Sequence, residues 1–217
     1  MKNNTKKLTT SGLLCALTYI AMLVSKLVPE VAGFLQFDLK DVIIVIGGFI
    51  LGPLYAFAIS AVVSVLELIS VSNTGIIGLV MNVVSTCAFC CTASVIYKFF
   101  RTFKGAIAGL VTGVVVMTGI MLLWNYYITP LYMEVPREVV ASMLIPVFLP
   151  FNLVKGMINS GFTMVLYRPL VSGLSKAGLI KSYTARKSLK VVMPSFVIGG
   201  VVLVIFIPLL LHLIGLI

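Results

Sequence analysis

Charge is scarce in this chain. Only 10% of its 217 residues are charged, and six acidic residues stand against sixteen lysines and arginines. There is one histidine, one tryptophan and four cysteines. Each shortage excludes something. A soluble domain of this size cannot hide a composition that is 60% hydrophobic, with a mean hydropathy of +1.18, because a globule needs a far more polar exterior. The single histidine, His212 in the last apolar run, excludes a multi-histidine metal centre. Cys15, Cys87, Cys90 and Cys91 all lie in apolar runs. The Cys87-x-x-Cys90-Cys91 spacing has no second ligand pair and no nearby histidine, so these are read as small packing residues and no metal is expected. No G-x-x-x-x-G-K-[ST] occurs, which excludes ATP binding by a P-loop. The apolar runs hold no paired carboxylates and no nucleophile–base arrangement, so no catalytic residue is assigned.

What is present is a series of long apolar runs without the alternation that a lipid-facing barrel strand would show. The expected class is therefore an all-α polytopic membrane protein. Span 1 covers about residues 8–28 and carries Gly12-x-x-x-Ala16, a small-residue pair on which another helix can approach closely. An amphipathic connection, residues 29–41, holds Glu30, Asp38, Lys40 and Asp41. Span 2, residues 42–51, is too short to cross about 30 Å of hydrocarbon. It must begin earlier or be partly re-entrant, and it stops at the turn signal Gly52-Pro53. Span 3 runs to about Val71, with Ser60, Ser64 and Glu67 on one face. Span 4 covers 75–100 and carries Asn82; span 5 covers 105–128 and ends in Trp124-Asn125-Tyr126-Tyr127. Residues 129–142 are expected as a loop. Span 6 covers 143–170, a basic segment follows, and the last apolar run, 191–217, is long enough for span 7. The expected organisation is a membrane core over 1–173, a basic segment over 174–190 and an additional hydrophobic helix over 191–217.

The cations are unevenly distributed. With the N-terminus inside, Lys2, Lys6, Lys7, Lys98, Arg101, Lys104, Arg168, Lys176, Lys181, Arg186, Lys187 and Lys190 all fall on inner segments, while the acidic residues fall outside or in the outer part of a span. This positive-inside bias explains the net charge of +10 without a nucleic-acid partner.

Span 6 contains the residues least at home in a bilayer: Asn152, Lys155 and Asn159, spaced i, i+3, i+7 and so on one helical face. A lysine at membrane depth costs about 2.5–3.5 kcal/mol on insertion scales, so it must face protein, water or a ligand. Under the orientation above, Glu67, Asn82, Asn125, Asn152 and Lys155 all lie in the outer half of the bundle, which points to one polar pocket reached from outside. Taken singly, Asn82 or Asn125 also fits the part of helix–helix glue, and Lys155 fits a structural ion pair with Glu67 or a carboxylate of the first loop.

Several stretches carry a resemblance. Phe37-Asp38-Leu39-Lys40-Asp41, Gly47-Gly48-Phe49-Ile50-Leu51-Gly52-Pro53, Leu123-Trp124-Asn125-Tyr126-Tyr127-Ile128-Thr129-Pro130 and Leu149-Pro150-Phe151-Asn152-Leu153-Val154-Lys155-Gly156 resemble the substrate-specificity subunits of energy-coupling-factor vitamin transporters, the riboflavin-specific branch above all. The likeness covers about residues 8–173, and the last two motifs are its most specific part. It implies a six-helix core in a bacterial cell membrane, N-terminus cytoplasmic, that binds vitamin from outside and joins a transmembrane coupling protein and two ATPases, with no catalysis of its own. It further implies that Asn125, Asn152 and Lys155 contact a flavin ring, that Asp38, Leu39 and Lys40 belong to the loop covering the site, and that Gly12 and Ala16 face the coupling protein.

The chemistry of these residue types agrees. A flavin ring has a uracil-like edge of donors and acceptors, which an asparagine amide matches because it offers both, and a lysine donates to a ring carbonyl. Asp38, Asn82 and Glu67 are candidates for the ribityl hydroxyls. Riboflavin is thus the expected cargo, and no cofactor is implied. Two other readings stay open: the same fold carrying another vitamin, and a structural or enzymatic membrane subunit. The basic segment and seventh run exceed the usual six-span core, which puts the C-terminal end outside or makes that run a displaced or membrane-lying helix.

Overall fold

The computed structural model describes residues 2–32, 35–72, 74–180 and 189–216. Its regular structure is helical: α1 (Lys2–Ser25), α2 (Lys40–Leu51), α3 (Pro53–Ser70), α4 (Gly75–Phe100), α5 (Phe103–Tyr127), α6 (Thr129–Met133), α7 (Arg137–Met143), a π-helical turn (Leu144–Phe148), α8 (Leu149–Lys176) and α9 (Leu189–Ile214). Among the described residues the sole extended pairing is an isolated bridge between Val31 and Leu35. Among the described residues six stretches are long and apolar enough to span a bilayer: Asn4–Ser25, Pro53–Ser70, Gly75–Phe100, Phe103–Tyr127, Arg137–Lys176 and Pro194–Ile214. The chain is a polytopic helical membrane protein.

The short second span begins two residues earlier than expected, at Lys40, and still rises only about 18 Å. It survives at that length because it is enclosed. Val42, Ile44, Val45 and Ile46 are buried, and α1, α3, α4 and α8 all pack against it. Its end is set by Gly52, whose φ of 108° suits glycine and whose N–H reaches Gly48 O at 2.8 Å; Pro53 then opens α3 in its first turn. Between α4 and α5 the connection is two residues long. Arg101 closes α4 in the left-handed region, and the Thr102 hydroxyl accepts the Gly105 N–H at 3.0 Å to start α5. The two helices cross at backbone contact, since a Cβ added at Gly109 or Gly113 would stand 2.7 Å from Ala93 O or Phe89 O. In a membrane, where apolar burial between helices has little drive, such close approach supplies the attraction.

Residues 129–142 are not the expected loop. Apart from Glu134–Pro136 they fold as α6 and α7, and α7 runs through the π-helical turn into α8. The cause is legible in Pro146 and Pro150, which stand four apart: each lacks an N–H, so the carbonyl one turn earlier has no helical donor and the winding loosens locally. This turn sets the angle at which Asn152 and Lys155 enter the bundle.

The last helix lies along α8. A Cβ at Gly199 would be 2.9 Å from Gly161 O, and one at Gly161 would meet Leu203 at 3.0 Å. Leu210, further along α9, shares an apolar cluster with Phe151, Val154 and Ile158, which lie earlier on α8. Ascending numbers on one helix thus meet descending numbers on the other, and α9 is antiparallel to α8. Its C-terminal end arrives beside the α1–α2 connection. Of the alternatives for this run, packing along α8 is what forms.

Candidate ligand-binding site

Eight polar or charged side chains from the α1–α2 connection, α2, α3, α4 and α8 meet in one largely buried cluster. Lys40, at 2% exposure, is among the largest fully buried side chains of the described residues. Its Nζ lies 2.7 Å from Asp38 Oδ2 and 2.7 Å from Glu67 Oε2. Lys26 at the end of α1 reaches the other Glu67 oxygen at 2.9 Å, and Asn82 Nδ2 donates to Glu67 Oε2 at 3.0 Å. Beside this group, Asp41 accepts from the Thr86 hydroxyl at 2.8 Å and from Asn159 Nδ2 at 3.4 Å; the same amide donates to Asp38 O at 3.0 Å. Buried charge is tolerated only when compensated. Here three cations, Lys26, Lys40 and Lys155, face three carboxylates, Asp38, Asp41 and Glu67, so the formal charge of the cluster cancels.

The cluster also sets the conformation of the connecting chain. The Lys40 N–H donates to Asp38 Oδ1 at 2.9 Å and the Leu39 N–H to Ser25 Oγ at 2.8 Å. Burial pushes the Asp38 carboxyl up, but the ammonium groups of Lys40 and Lys155 outweigh it and hold the group below the usual carboxylate range.

Lys155 behaves differently. Its charge acts on Asp38 and Asp41, yet among the described residues it makes no hydrogen bond and no ion pair at contact distance. The expected pairing with Glu67 is not formed, because Lys26 and Lys40 already occupy both Glu67 oxygens. Lys155 is half-buried, between full burial and lipid, with three donors uncommitted.

Asn125 and Asn152, at 2% and 3% exposure, are equally local. Asn125 Nδ2 donates to Met121 O at 2.7 Å and Asn152 Nδ2 to Phe148 O at 2.8 Å, each one turn back on its own helix. Asn125 Oδ1 accepts from the Thr129 hydroxyl at 2.8 Å. Neither amide bridges two spanning helices, so the helix-glue reading does not describe them. Asn82 is the exception, since its bond to Glu67 joins α4 to α3. Gly156, one residue past Lys155, lets α8 press on α5: a Cβ there would meet Val114 at 2.8 Å and Met117 at 3.2 Å. Asn152 and Lys155 thus lie on the part of α8 next to this crossing, while Asn125 lies 8–11 residues further along α5 than Val114 and Met117.

Asp38 and Lys40, expected in the loop covering the site, and Glu67 and Asn82, expected with Asp38 near the ribityl hydroxyls, are bonded to one another. The structure also adds Lys26, Asp41, Thr86 and Asn159 to the cluster. Asn159 carried a signal, its helical register with Asn152 and Lys155. Thr86 carried a weaker one, its place with Gly78, Asn82 and Ser85 in the first half of span 4. One acceptor is left over: Asn159 Oδ1 is buried without a donor among the described residues. Leu39 packs among apolar neighbours of the connection, α2 and α8. Gly12 and Ala16 are exposed on α1, and a Cβ at Gly12 would meet nothing within 4 Å.

Comparison with known proteins agrees with this architecture. Residues 6–167 match the family model of the ECF transporter, substrate-specific component. The chain is 29% identical over 178 residues to the riboflavin transporter RibU of Staphylococcus aureus (strain TCH60), across 79% of this chain and 93% of that protein. It is 31% identical over 183 residues to the riboflavin transporter RibU of Streptococcus thermophilus (strain ATCC BAA-250 / LMG 18311), across 80% of this chain and 86% of that one. A solved S component of a bacterial ECF transporter superposes with a TM-score of 0.67 at 28% identity, covering 79% of this chain and 98% of that structure. Matched over most of its length by the family model, and by relatives over most of theirs, the chain belongs to the substrate-specific components of ECF transporters.

Proposed function

We propose that this subunit binds riboflavin in the bilayer and passes it inward as part of an ECF transporter, with Asn125, Asn152 and Lys155 as the contacts to the flavin ring. One observation carries the choice of residues. Asn125 and Asn152 donate only to a carbonyl one turn back, and Lys155 makes no hydrogen bond among the described residues, so none of the three is tied to another spanning helix. A swing of the Asn152 amide toward a ligand gives up only a second bond to a carbonyl, which has another lone pair and a helix around it; a swing of Asn125 also gives up the Thr129 hydroxyl. The two amides offer donors and acceptors to the uracil-like edge of the ring, and the Lys155 ammonium suits a ring carbonyl. Two relatives carrying the name riboflavin transporter support the cargo. Asp38, Leu39, Lys40, Glu67 and Asn82 then act chiefly by holding the connection that covers the site, with the ribityl hydroxyls as their nearest ligand groups.

The orientation we assign is N-terminus cytoplasmic, from the lysine and arginine distribution, with the basic segment 174–190 on the same side. Within it, 181–188 lie outside the described residues. The subunit contributes no catalysis: ATP hydrolysis belongs to two ATPase partners, and the exposed Gly12–Ala16 face of α1 meets the transmembrane coupling protein. A Gly12→Leu variant accordingly binds riboflavin as the wild type does but transports it poorly in cells supplying the partners.

The deciding experiment is an absorption spectrum of protein purified from flavin-containing medium, followed by titration of riboflavin fluorescence. A co-purifying flavin band and stoichiometric quenching are expected. With no band and no quenching the riboflavin assignment fails, and other vitamins are screened against the same fold.

A further inference from the structure

The helix α9 lies wholly beyond the residues matched by the family model, which end at 167. It is highly apolar, and Val197, Val201, Val204 and Leu209 stand exposed along it, as a lipid-facing helix requires. Among its described side chains two positions are buried, Gly199 and Leu210. They stand eleven residues apart, close to three whole turns, and so lie on one face about 16 Å from each other.

The two positions do different things. Gly199 is the fastening point, where α9 and the α8 backbone at Gly161 come into contact. Because apolar helices gain little by associating in lipid, this close glycine approach fixes α9 in register on α8. Leu210 is three turns further on. With Leu203, Phe206, Leu213 and Ile214 it joins the cluster formed by Phe151, Val154 and Ile158 of α8 and by Val28, Val31, Leu35, Phe37 and Leu39 of the α1–α2 connection. Val31 and Phe37 are each only 3% exposed, although they belong to a connection between helices. Without α9 the cluster would lose Leu210 and the side chains packed beside it, and Val31 and Phe37 would be less covered.

The α1–α2 connection is thus held from two sides. Its polar side is tied through Asp38 and Lys40 to Glu67. Its apolar side is covered by the last two turns of α9. We infer that α9 is a brace for this connection, and that Leu210 and Leu213 are positioning residues that set how long a ligand stays under it. This rests on the ligand reading above. The brace acts through the connection alone, with no contact between α9 and the cargo.

The test uses the full-length subunit in lipid nanodiscs and two readouts. The first is the dissociation rate of riboflavin, followed as fluorescence regained after dilution. The second is hydrogen exchange of the Val31 and Leu35 amides, which bond to each other's carbonyls at 2.8 and 3.0 Å, measured without ligand. Removing both leucines, Leu210→Ala with Leu213→Ala, should speed release by on the order of tenfold and raise exchange at Val31 and Leu35, with the number of sites per folded protein unchanged. A merely destabilised protein would lose sites and keep the release rate of those that remain. Val204→Ala, on the lipid-facing side, should change neither readout. Leu210→Val should shift both in the same direction by less, and stands in if the double variant does not fold. Release at the wild-type rate overturns the brace, as does unchanged exchange. If the wild type binds no riboflavin, the cargo assignment fails instead, and the exchange measurement alone decides the brace.

Discussion

Two polar regions lie side by side in this bundle and are built on opposite terms. Around Lys40, apart from its own pair with Asp38, the bonds are long-range: Glu67, Lys26, Asn82, Asp41, Thr86 and Asn159 tie the α1–α2 connection and α2 to α3, α4 and α8. Around Asn125, Asn152 and Lys155 the bonds are local or missing. A buried ion pair is costly to break because each partner left behind remains uncompensated. A side chain that returns to its own helix is released at little cost. The difference separates groups tied across helices from groups that are not, a separation that burial does not make, since Lys40 and Asn125 are both 2% exposed.

The sharpest way to break this comparison is to remove one lysine from each region. Lys40→Ala leaves Asp38 and Glu67 buried with fewer partners and should cost about 3–5 kcal/mol of stability, visible as loss of monodisperse protein or a large fall in Tm in detergent. Lys155→Ala should lower Tm clearly less than Lys40→Ala, because Asp38 and Asp41 lose a neighbouring charge but no contact pair is broken. Equal thermal losses in the two variants would erase the distinction.

The reverse pattern is expected in binding. Lys155→Ala and Asn152→Ala should each weaken riboflavin binding by about 1–3 kcal/mol, the usual loss when a buried polar partner is removed, read as a roughly 5- to 150-fold rise in Kd at unchanged stoichiometry. Should Lys155→Ala misfold while the surviving protein binds normally, Lys155 belongs to the structural region after all.

A smaller effect is expected at Thr86. Thr86→Val removes the donor to Asp41 Oδ1 and keeps the shape, so it should lower stability by about 1–2 kcal/mol with little change in Kd. A Kd change larger than the stability change would move Asp41 to the ligand side.

The weakest effect is that of pH. The folded-state pKa of Asp38 lies below its ordinary value, so its contribution is present in full above the unfolded pKa, about 4, and is lost only as pH falls through the folded value beneath it. Protection of the Val31 and Leu35 amides should therefore hold from about pH 8 to about pH 5. A loss of protection within that window would place another titrating group in control of the connection.

Much of this protein is determined by its sequence alone. Apolar runs at bilayer length dictate helices because lipid offers no partner to an unpaired backbone group. Gly52-Pro53 ends one helix and starts another through φ and a missing donor, and Thr102 caps the next. The odd residues of span 6 announced themselves because a lysine and two asparagines on one face are costly in hydrocarbon. Where sequence reasoning fell short, the missing information was long-range. Residues 129–142 look like a loop because Pro130 and Pro136 are turn signals, but both sit at positions that open short helices. Glu67 was available to Lys155 by depth, and only the fold decided that Lys26 and Lys40, from the end of α1 and the start of α2, arrive first. Likewise α9 could be recognised as a helix from its composition, but its direction and its place against the α1–α2 connection follow from two glycines 38 positions apart, Gly161 and Gly199, meeting at backbone contact. Local chemistry selects each helix, since the cost of an unpaired peptide group is paid residue by residue. Which charge meets which carboxylate depends on several helices packing at once, and no single stretch of chain contains that choice.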